Sequence, residues 1–541
     1  MTPVAGGGLF VAATSADLPA AAEAVLAGAA DLPAALVGKD ASLWGPEATA
    51  EATVRLGWLD AVETGRQLIP TIMALRAELA SEGVDRVVLC GMGGSSLAPE
   101  VICATADRPL VVVDTTDPGQ IRAAFTELPR TVVVVSSKSG GTLETDSHRR
   151  AAQAAFQAAG IDPARRIVVV TDPGSPFEQA AREQGTRAVF LADPDVGGRY
   201  SALTAFGLVP AGLAGIDLDA LLREAAALLA TLGSTQDNPA LAFGALLGGG
   251  ALAGRDKLVL VAAAGGFGDW AEQLVAESTG KQGKGVLPVV VETAVAPGTE
   301  PTTDSHLVLV DGGSTAGPHT SIPHTSITGP LGGQFLAWEY ATAVAGWTLK
   351  INPFDQPNVQ ESKDNTGEIL RVMGETGGPV PQTSALFTEG GVAVHAPSEL
   401  LGPAGDLAGT LQELLAAVLD RGYLAVMAYL DRHADADAHQ LRALLAARLA
   451  HPVTFGWAPR FLHSTGQFHK GGPQTGVFLQ ITGTVAADLD IPGRPFTFGQ
   501  LQAAQALGDR RALEQRGRPV LHLHLVDRAE GLATLLDVAR G

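Results

Sequence analysis

Val132-Val133-Val134-Val135-Ser136-Ser137-Lys138-Ser139-Gly140-Gly141-Thr142-Leu143-Glu144-Thr145 is the stretch on which the reading of the fold turns. An unbroken β-branched run of this length reads as a strand buried on both faces, the condition of a parallel sheet. The run then opens into hydroxyls, one lysine and paired glycines. Hydroxyls offer donors to phosphate oxygens, glycines let the backbone approach, and a helix starting near Thr142 points its free N–H groups at an anion. The plainer alternative is a Ser/Thr helix cap after a core strand. A second stretch of the same design weighs against it: Val87-Val88-Leu89-Cys90 runs into Gly91-Met92-Gly93-Gly94-Ser95-Ser96 and then Leu97-Ala98-Pro99-Glu100. Two strand, loop and helix units thus face one ligand end.

Outward from these loops the chain alternates. Strands over 86–90, 110–114, 131–136 and 166–171, with helices over 96–104, 118–127, 142–159 and 175–184, predict a doubly wound parallel sheet with ligand loops at the carboxyl ends of its strands. A short strand at 188–191 precedes Gly197-Gly198-Arg199-Tyr200-Ser201, a glycine-flanked cation before a helix. The pattern repeats from Lys257-Leu258-Val259-Leu260-Val261-Ala262, through a Gly265-Gly266-Phe267-Gly268 turn, to a helix reaching Glu277; strands 288–292 and 306–310 and helix 331–349 follow, and a further helix begins near Pro357. Residues up to about Ala80 read as helices packed over the first sheet. Pro318-His319-Thr320-Ser321-Ile322 and Pro323-His324-Thr325-Ser326-Ile327 form a tandem repeat, read as an insertion in a neutral surface loop rather than a histidine metal site. Glycines and prolines over 374–398 read as a linker or hairpin. Beyond lies a third α/β module with strands at 424–429, 452–456, 475–482 and 519–525 and a polar loop from Arg460 to Gly472. The expected division is 1–230 (N-terminal helices and first unit), 231–375 (second unit) and 376–541 (C-terminal α/β module).

With 541 residues, 46% hydrophobic and 17% charged, the chain has material for more than one core. A net charge of −20 argues against nucleic acid or an anionic membrane as partner, and makes local cations around an anionic ligand matter more. Two cysteines, Cys90 and Cys103, in apolar surroundings and without metal-ligand spacing, point to a reducing compartment. The start lacks the basic region and apolar run of a signal peptide, and no run of about 18 apolar residues reads as a membrane span. A cytoplasmic protein is expected.

Glu277, in Ala276-Glu277-Ser278-Thr279-Gly280-Lys281, lies where an apolar helix ends at glycine, so its carboxylate can project into a cleft or stay solvated. Lys363, taken alone, is an exposed helical lysine. Five ordered motifs change the weight of both: Gly91-Met92-Gly93-Gly94-Ser95; Ser137-Lys138-Ser139 with Thr142 and Glu144-Thr145; Gly197-Gly198-Arg199-Tyr200-Ser201; Glu277-Ser278-Thr279-Gly280-Lys281; and Asn352-Pro353-Phe354-Asp355-Gln356 continuing to Lys363. Spanning roughly residues 85 to 365, this set resembles the glucose-6-phosphate isomerase (phosphoglucose isomerase) family, built on two sugar-isomerase (SIS) domains. The C-terminal module makes the chain most similar to the isomerase half of bifunctional transaldolase/glucose-6-phosphate isomerase chains. No transaldolase activity is expected, because about 85 residues precede the first SIS strand.

The resemblance implies an aldose–ketose isomerase acting on glucose 6-phosphate and fructose 6-phosphate through a cis-enediol, in glycolysis and gluconeogenesis. It gives Glu277 the proton transfer between adjacent carbons, Arg199 the enediolate oxygen, and Lys363 with a histidine the ring opening. Gly94, Ser95, Ser137, Lys138, Ser139 and Thr142 are implied at the phosphate, and Gln356 near the sugar. No cofactor or metal is required, and a homodimer is expected from the family. Two departures stand out. About 180 residues follow Lys363, which in most members lies near the C-terminus. The family histidine normally falls between the glutamate and lysine motifs, where this chain has His306, His319 and His324 in unfamiliar contexts; Leu462-His463-Ser464-Thr465-Gly466-Gln467 matches a bacterial context of that histidine, so His463 takes the role. Rival readings are a different enzyme on this fold, either another sugar-phosphate isomerase such as a dual phosphoglucose/phosphomannose isomerase or a glutamine-dependent aminotransferase, and a non-catalytic sugar-phosphate-binding regulator. An aminotransferase would need a nucleophilic cysteine at its start, where Thr2 follows Met1.

Overall fold

All six residues of the strand Thr131–Ser136 are buried, which is why it tolerates no polar alternation. It is central to a five-stranded parallel sheet ordered Val111–Val113, Arg86–Cys90, Thr131–Ser136, Ile167–Thr171, Ala188–Leu191. The strand order reverses between Arg86–Cys90 and Thr131–Ser136, so the glycine loop after the former and the hydroxyl loop after the latter open into one crevice, the place where such sheets take ligands. The computed structural model describes residues 2–15, 17–262, 265–310, 322–376, 380, 384–395 and 405–541.

A second sheet runs Leu287–Val291, Lys257–Ala262, Ser305–Val310, Thr325–Thr328 in parallel, then adds the antiparallel hairpin Val4–Gly6/Leu9–Ala13. This corrects the expectation of an all-helical first 80 residues, and moves a segment assigned to the first unit onto the second sheet. Gly7 and Gly8, both at positive φ (56° and 84°), make the two-residue turn, and Leu9 and Val11 point into the core. The tandem repeat is corrected as well: the second copy does not stay in a surface loop but enters the strand Thr325–Thr328, with Thr325 and Ile327 fully buried. Alternate residues of Thr-Ser-Ile-Thr face inward, as a strand requires. His319 and most of the first copy lie outside the described residues, as do parts of the segment expected as a linker, 377–379, 381–383 and 396–398.

The third sheet is ordered Phe387–Glu389, Val392–His395, Val520–Leu525, Gly476–Gly483, Tyr423–Tyr429, Val453–Trp457, the last four parallel. Its loop from Arg460 to Gly472, expected as a polar connection, is instead a 3₁₀ turn Arg460–His463 and a short helix Gly466–Gly471 whose first five residues are all buried.

One hydrophobic core runs from Leu9 to Phe354 and is shared by the first two sheets. The opposite face of the first sheet, with Val88, Val133 and Val135, is covered by Ile369 and Leu370 from the helix Val359–Thr376 and by Phe498 and Leu501 from the helix Phe498–Glu514. The C-terminal module is therefore packed against the first sheet through its own helix. Within the module Lys470 and Asp509 pair at 2.7 Å, each side chain 1% exposed, and Ser362 Oγ, from the helix Val359–Thr376, donates to the same carboxylate at 3.2 Å.

Breaking a buried pair leaves a charge without compensation. Lys470→Met is expected to destabilise the fold by about 3–5 kcal/mol in urea titration, and the double variant with Asp509→Leu to recover most of that loss.

Candidate active site

Gly94 shows how close the first loop comes to its neighbours: a Cβ there would sit 1.9 Å from the Gly198 carbonyl oxygen and 2.9 Å from the Arg199 nitrogen. The turn Gly198–Tyr200 is seated directly on the glycine loop, and Arg199 extends from it, 3% exposed. Its Nε donates to Ser278 Oγ (2.8 Å), Nη1 to Gln356 Oε1 (2.5 Å), and Nη2 to the carbonyls of Pro353 (2.8 Å) and Asp355 (2.9 Å). Nη1 also lies 3.2 Å from Glu277 Oε1. Glu277 stands in the last turn of the helix Phe267–Thr279 and is 7% exposed, so it is a buried member of a cluster and not a solvated helix-end residue. Gln356 reaches Arg199 from the loop before the helix Val359–Thr376. Nearby, Lys281 donates to the Asp355 carboxylate at 2.6 Å; burial, with the like charge of Arg199, brings its amine down to about 8.

Gln273, one turn before Glu277, joins this cluster to the C-terminal module. Its Nε2 donates to Glu277 Oε2 (3.1 Å) and to the His463 carbonyl (2.8 Å). The turn carrying His463 is anchored by Arg460, which donates to Asp114 (2.6 Å) and Glu100 (2.6 Å) of the first domain. His463 Nε2 meets Glu144 Oε1 at 3.0 Å, and the same oxygen accepts from Gln505 Nε2 at 2.7 Å. Gln505 is oriented in turn by Thr116, whose hydroxyl donates to Gln505 Oε1 (2.9 Å). An ionised Glu144 can only accept, so Nε2 carries the proton and Nδ1 is the ring atom left to face a substrate.

A cavity of about 390 Å³ opens here, lined among others by Ser139, Thr142, Glu144, Lys363, His463 and Gln505. The structure thus brings Ser139, Thr142, Lys363 and His463 around one space, and Glu277, Arg199 and Gln356 into an adjoining cluster linked through Gln273. Ser95 lies in the turn Gly93–Ser95, which sits against His463 but does not itself line the cavity. In the hydroxyl loop, Ser137 Oγ accepts from the Gly140 nitrogen (3.1 Å) and Ser139 Oγ from the Gly141 nitrogen (3.2 Å), which shapes the turn and leaves the hydroxyl protons to donate. Gly140 has φ +75°, and a Cβ would meet Phe177 at 2.4 Å, so this turn requires glycine. Thr142 is the N-cap of the helix Leu143–Ala158, its side chain making no capping bond. Lys138 departs from its reading as the counter-charge of the cradle: its amine is 3.0 Å from Asp172 Oδ2 and donates to the Val196 carbonyl at 2.7 Å.

Glu144, Gln273 and Gln505 were given no role from sequence. Glu144 sits in a helix's first turn, where an acid is ordinarily a partner for the helix dipole; its real partner lies 319 positions away.

Parallel SIS-type sheets, a hydroxyl-rich loop at a helix start and a buried Glu–Arg pair define the sugar-phosphate isomerase class. The phosphoglucose isomerase family model matches residues 66–240. A glucose-6-phosphate isomerase of Thermosynechococcus vestitus is 31% identical over 385 residues, covering 58% of this chain and 72% of that one. One from Citrifermentans bemidjiense is 29% identical over 361 residues, covering 53% and 66%. In three dimensions the chain is similar to a glucose-6-phosphate isomerase from Chlamydia trachomatis, with a TM-score of 0.53 at 21% identity over 69% of this chain and 90% of that one, a likeness of fold. The chain belongs to the phosphoglucose isomerase family.

Burial by itself would raise the Glu144 carboxyl, but His463, by charge and hydrogen bond, and more distantly Lys363 hold it at about 2, below the ordinary 4.5. A depressed folded-state value stabilises fully above the unfolded pKa and is lost as pH falls through the folded one. Glu144→Gln should therefore be less stable than wild type by roughly 3 kcal/mol at neutral pH. That gap should close between about pH 4.5 and pH 2 in chemical denaturation at each pH.

Proposed function

We propose that this protein interconverts glucose 6-phosphate and fructose 6-phosphate through a cis-enediol, a step of glycolysis and gluconeogenesis. The observation that carries the reading is the buried Glu277 carboxylate 3.2 Å from a guanidinium held by four other acceptors. In this reading Glu277 takes the proton from one of the two adjacent carbons and returns it to the other. Arg199 faces the oxygen on which negative charge develops; because Ser278, Gln356 and two carbonyls already fix it, no reorganisation is needed when that charge appears. Ring opening needs a proton moved between the ring oxygen and the anomeric hydroxyl. His463, with Nε2 committed to Glu144, offers Nδ1 for that transfer, and Lys363 supplies the cationic partner across the cavity.

The phosphate is assigned to Ser137, Ser139 and Thr142 with the amides that begin the helix Leu143–Ala158. Lys138 adds charge to the field around that loop while staying on Asp172. Anchoring at the non-reacting phosphate orients the carbons between Glu277 and Arg199. The proposal includes a homodimer in the cytoplasm, in keeping with the family and with two buried free cysteines. Among the described residues no helix is long and apolar enough to cross a membrane.

The test is incubation with fructose 6-phosphate and detection of glucose 6-phosphate, with mannose 6-phosphate run in parallel to measure selectivity at C2. Glu277→Gln should lower both turnover and exchange of the C2 proton with solvent by roughly 10²–10⁴-fold, leaving inorganic phosphate inhibition unchanged. His463→Ala should slow the cyclic substrate far more than an open-chain analogue. Proton exchange that survives in Glu277→Gln sinks the assignment of the base.

A further inference from the structure

The C-terminal module contains a cavity of its own, about 720 Å³, that the isomerase reading does not use. Its position follows from the topology of the third sheet. The strand Tyr423–Tyr429 connects onward to Val453–Trp457 on one side, while Gly476–Gly483 connects to Val520–Leu525 on the other. The order reverses between the first and third of these, and the cavity is lined by their carboxyl ends, Tyr429 and Thr482 through Val485. This is a second switch-point crevice, in a different sheet from the one that carries the hydroxyl loop.

The sheet face beneath it is polar where a structural face would be apolar. Gln480 pairs in register with His522 and Thr482 with His524, and His395 lies opposite His522 with its ring stacked at 4.9 Å. The reverse face of the same strands, with Leu479, Ile481, Leu521 and Leu523, forms the module's hydrophobic core. Arg510, on the helix Phe498–Glu514 and 8% exposed, donates from Nη1 to His522 Nδ1 at 2.5 Å. A guanidinium cannot accept, so the neutral ring of His522 bears its proton on Nε2 and gives it to Thr482 Oγ1 (2.8 Å). The Thr482 hydroxyl proton then goes to His524 Nδ1 (2.8 Å), and His524 Nε2 donates to Thr484 Oγ1 (3.2 Å). The relay runs one way, from a buried cation to an exposed hydroxyl at the rim.

Two buried amides in the lining are incompletely satisfied: Gln480 Oε1 and Gln502 Nε2 have no hydrogen-bond partner, with the residues 0% and 4% exposed. Unpaired buried polar atoms are costly, and a free donor and a free acceptor beside one cavity suit a ligand bearing hydroxyl groups. The cation is also under-compensated. The carboxylate nearest Arg510, Glu514, is 3.7 Å away, while Asp488, the acid in the lining, accepts from the Leu489 and Gly499 nitrogens and the Thr497 hydroxyl.

From the cavity, its switch-point position, the buried cation and the two unsatisfied amides, we propose that the C-terminal module binds a small phosphorylated polyol at this second site, its anion on Arg510 and its hydroxyls on Gln480, Gln502 and Thr484. The volume lies in the range of small-molecule pockets. A metal is not the ligand the side chains suit: among the described residues no group of His, Cys, Asp and Glu is placed to hold one, and both nitrogens of His522 are already bonded. The same helix presents Gln505 to Glu144 in the first cavity, so the two sites share a wall.

The test is NMR of the full chain labelled at histidine, with the His522 and His524 ring signals assigned through His522→Gln and His524→Gln. Glucose 6-phosphate should shift both signals saturably, more tightly than inorganic phosphate. Arg510→Gln should weaken this response at least about tenfold, while the His463 signal still responds and kcat/KM stays within about twofold. Gln502→Leu should weaken glucose 6-phosphate at these signals yet leave the ligand-free Tm unchanged or raised, because it removes an unpaired buried amide. No saturable shift, or an unaltered binding curve in Arg510→Gln, overturns the site. Equal affinity for inorganic phosphate and glucose 6-phosphate overturns the polyol assignment, and a lowered Tm in Gln502→Leu shows the amide to serve the fold instead.

Discussion

The burial of Arg199 is the constraint around which the first two sheets and their helices are assembled. A guanidinium taken out of water is strongly unfavourable unless its donors are met in good geometry. Here they are met from two separate segments: Ser278 and Glu277 at the end of one helix, and the loop that supplies the carbonyls of Pro353 and Asp355 and the side chain of Gln356. None of these partners is near Arg199 in sequence. Each must arrive in place before the cation is satisfied, so the charge that would serve an enediolate also enforces the mutual placement of the glycine loop, the Glu277 helix and the Gln356 loop. Gly94 belongs to the same constraint, since a side chain there would displace the turn from which Arg199 extends.

The second organising element is the C-terminal module, which contributes His463 and Gln505 to the candidate site rather than standing apart from it. His463 arrives on a turn that Arg460 anchors to Asp114 and Glu100 in the first domain. The helix Phe498–Glu514 then closes the first sheet and hands Gln505 to Glu144. A residue recruited from so far along the chain keeps its ring orientation only through long-range bonds, and Glu144 with Gln505 provides them.

What could be read beforehand follows from range. The valine run, the two loops at strand ends and the alternation of strands and helices are local patterns, and the first sheet forms over the segments those patterns indicate. The Leu-His-Ser-x-Gly-Gln context singled out His463, which the structure brings to the cavity with Lys363. Long-range pairings were invisible: Glu144 has its partner in another module, and Lys138 is claimed by Asp172, whose identity no spacing rule indicates. The amino-terminal hairpin was hidden differently. Ala- and Gly-rich sequence blurs the two periodicities, although Gly7-Gly8 between short apolar runs is a hairpin signal in its own right.

That hairpin places a demand on biosynthesis. Leu9–Ala13 pairs antiparallel with Thr325–Thr328, a strand synthesised roughly 310 residues later. At about 5–20 residues per second, the interval on the ribosome is roughly 15–60 s. Throughout it Leu9 and Val11, destined for the interior, have no sheet to join, and one edge of the hairpin offers unpaired backbone groups to any other nascent strand. Completion of the second sheet is thus a late event in the life of the nascent chain.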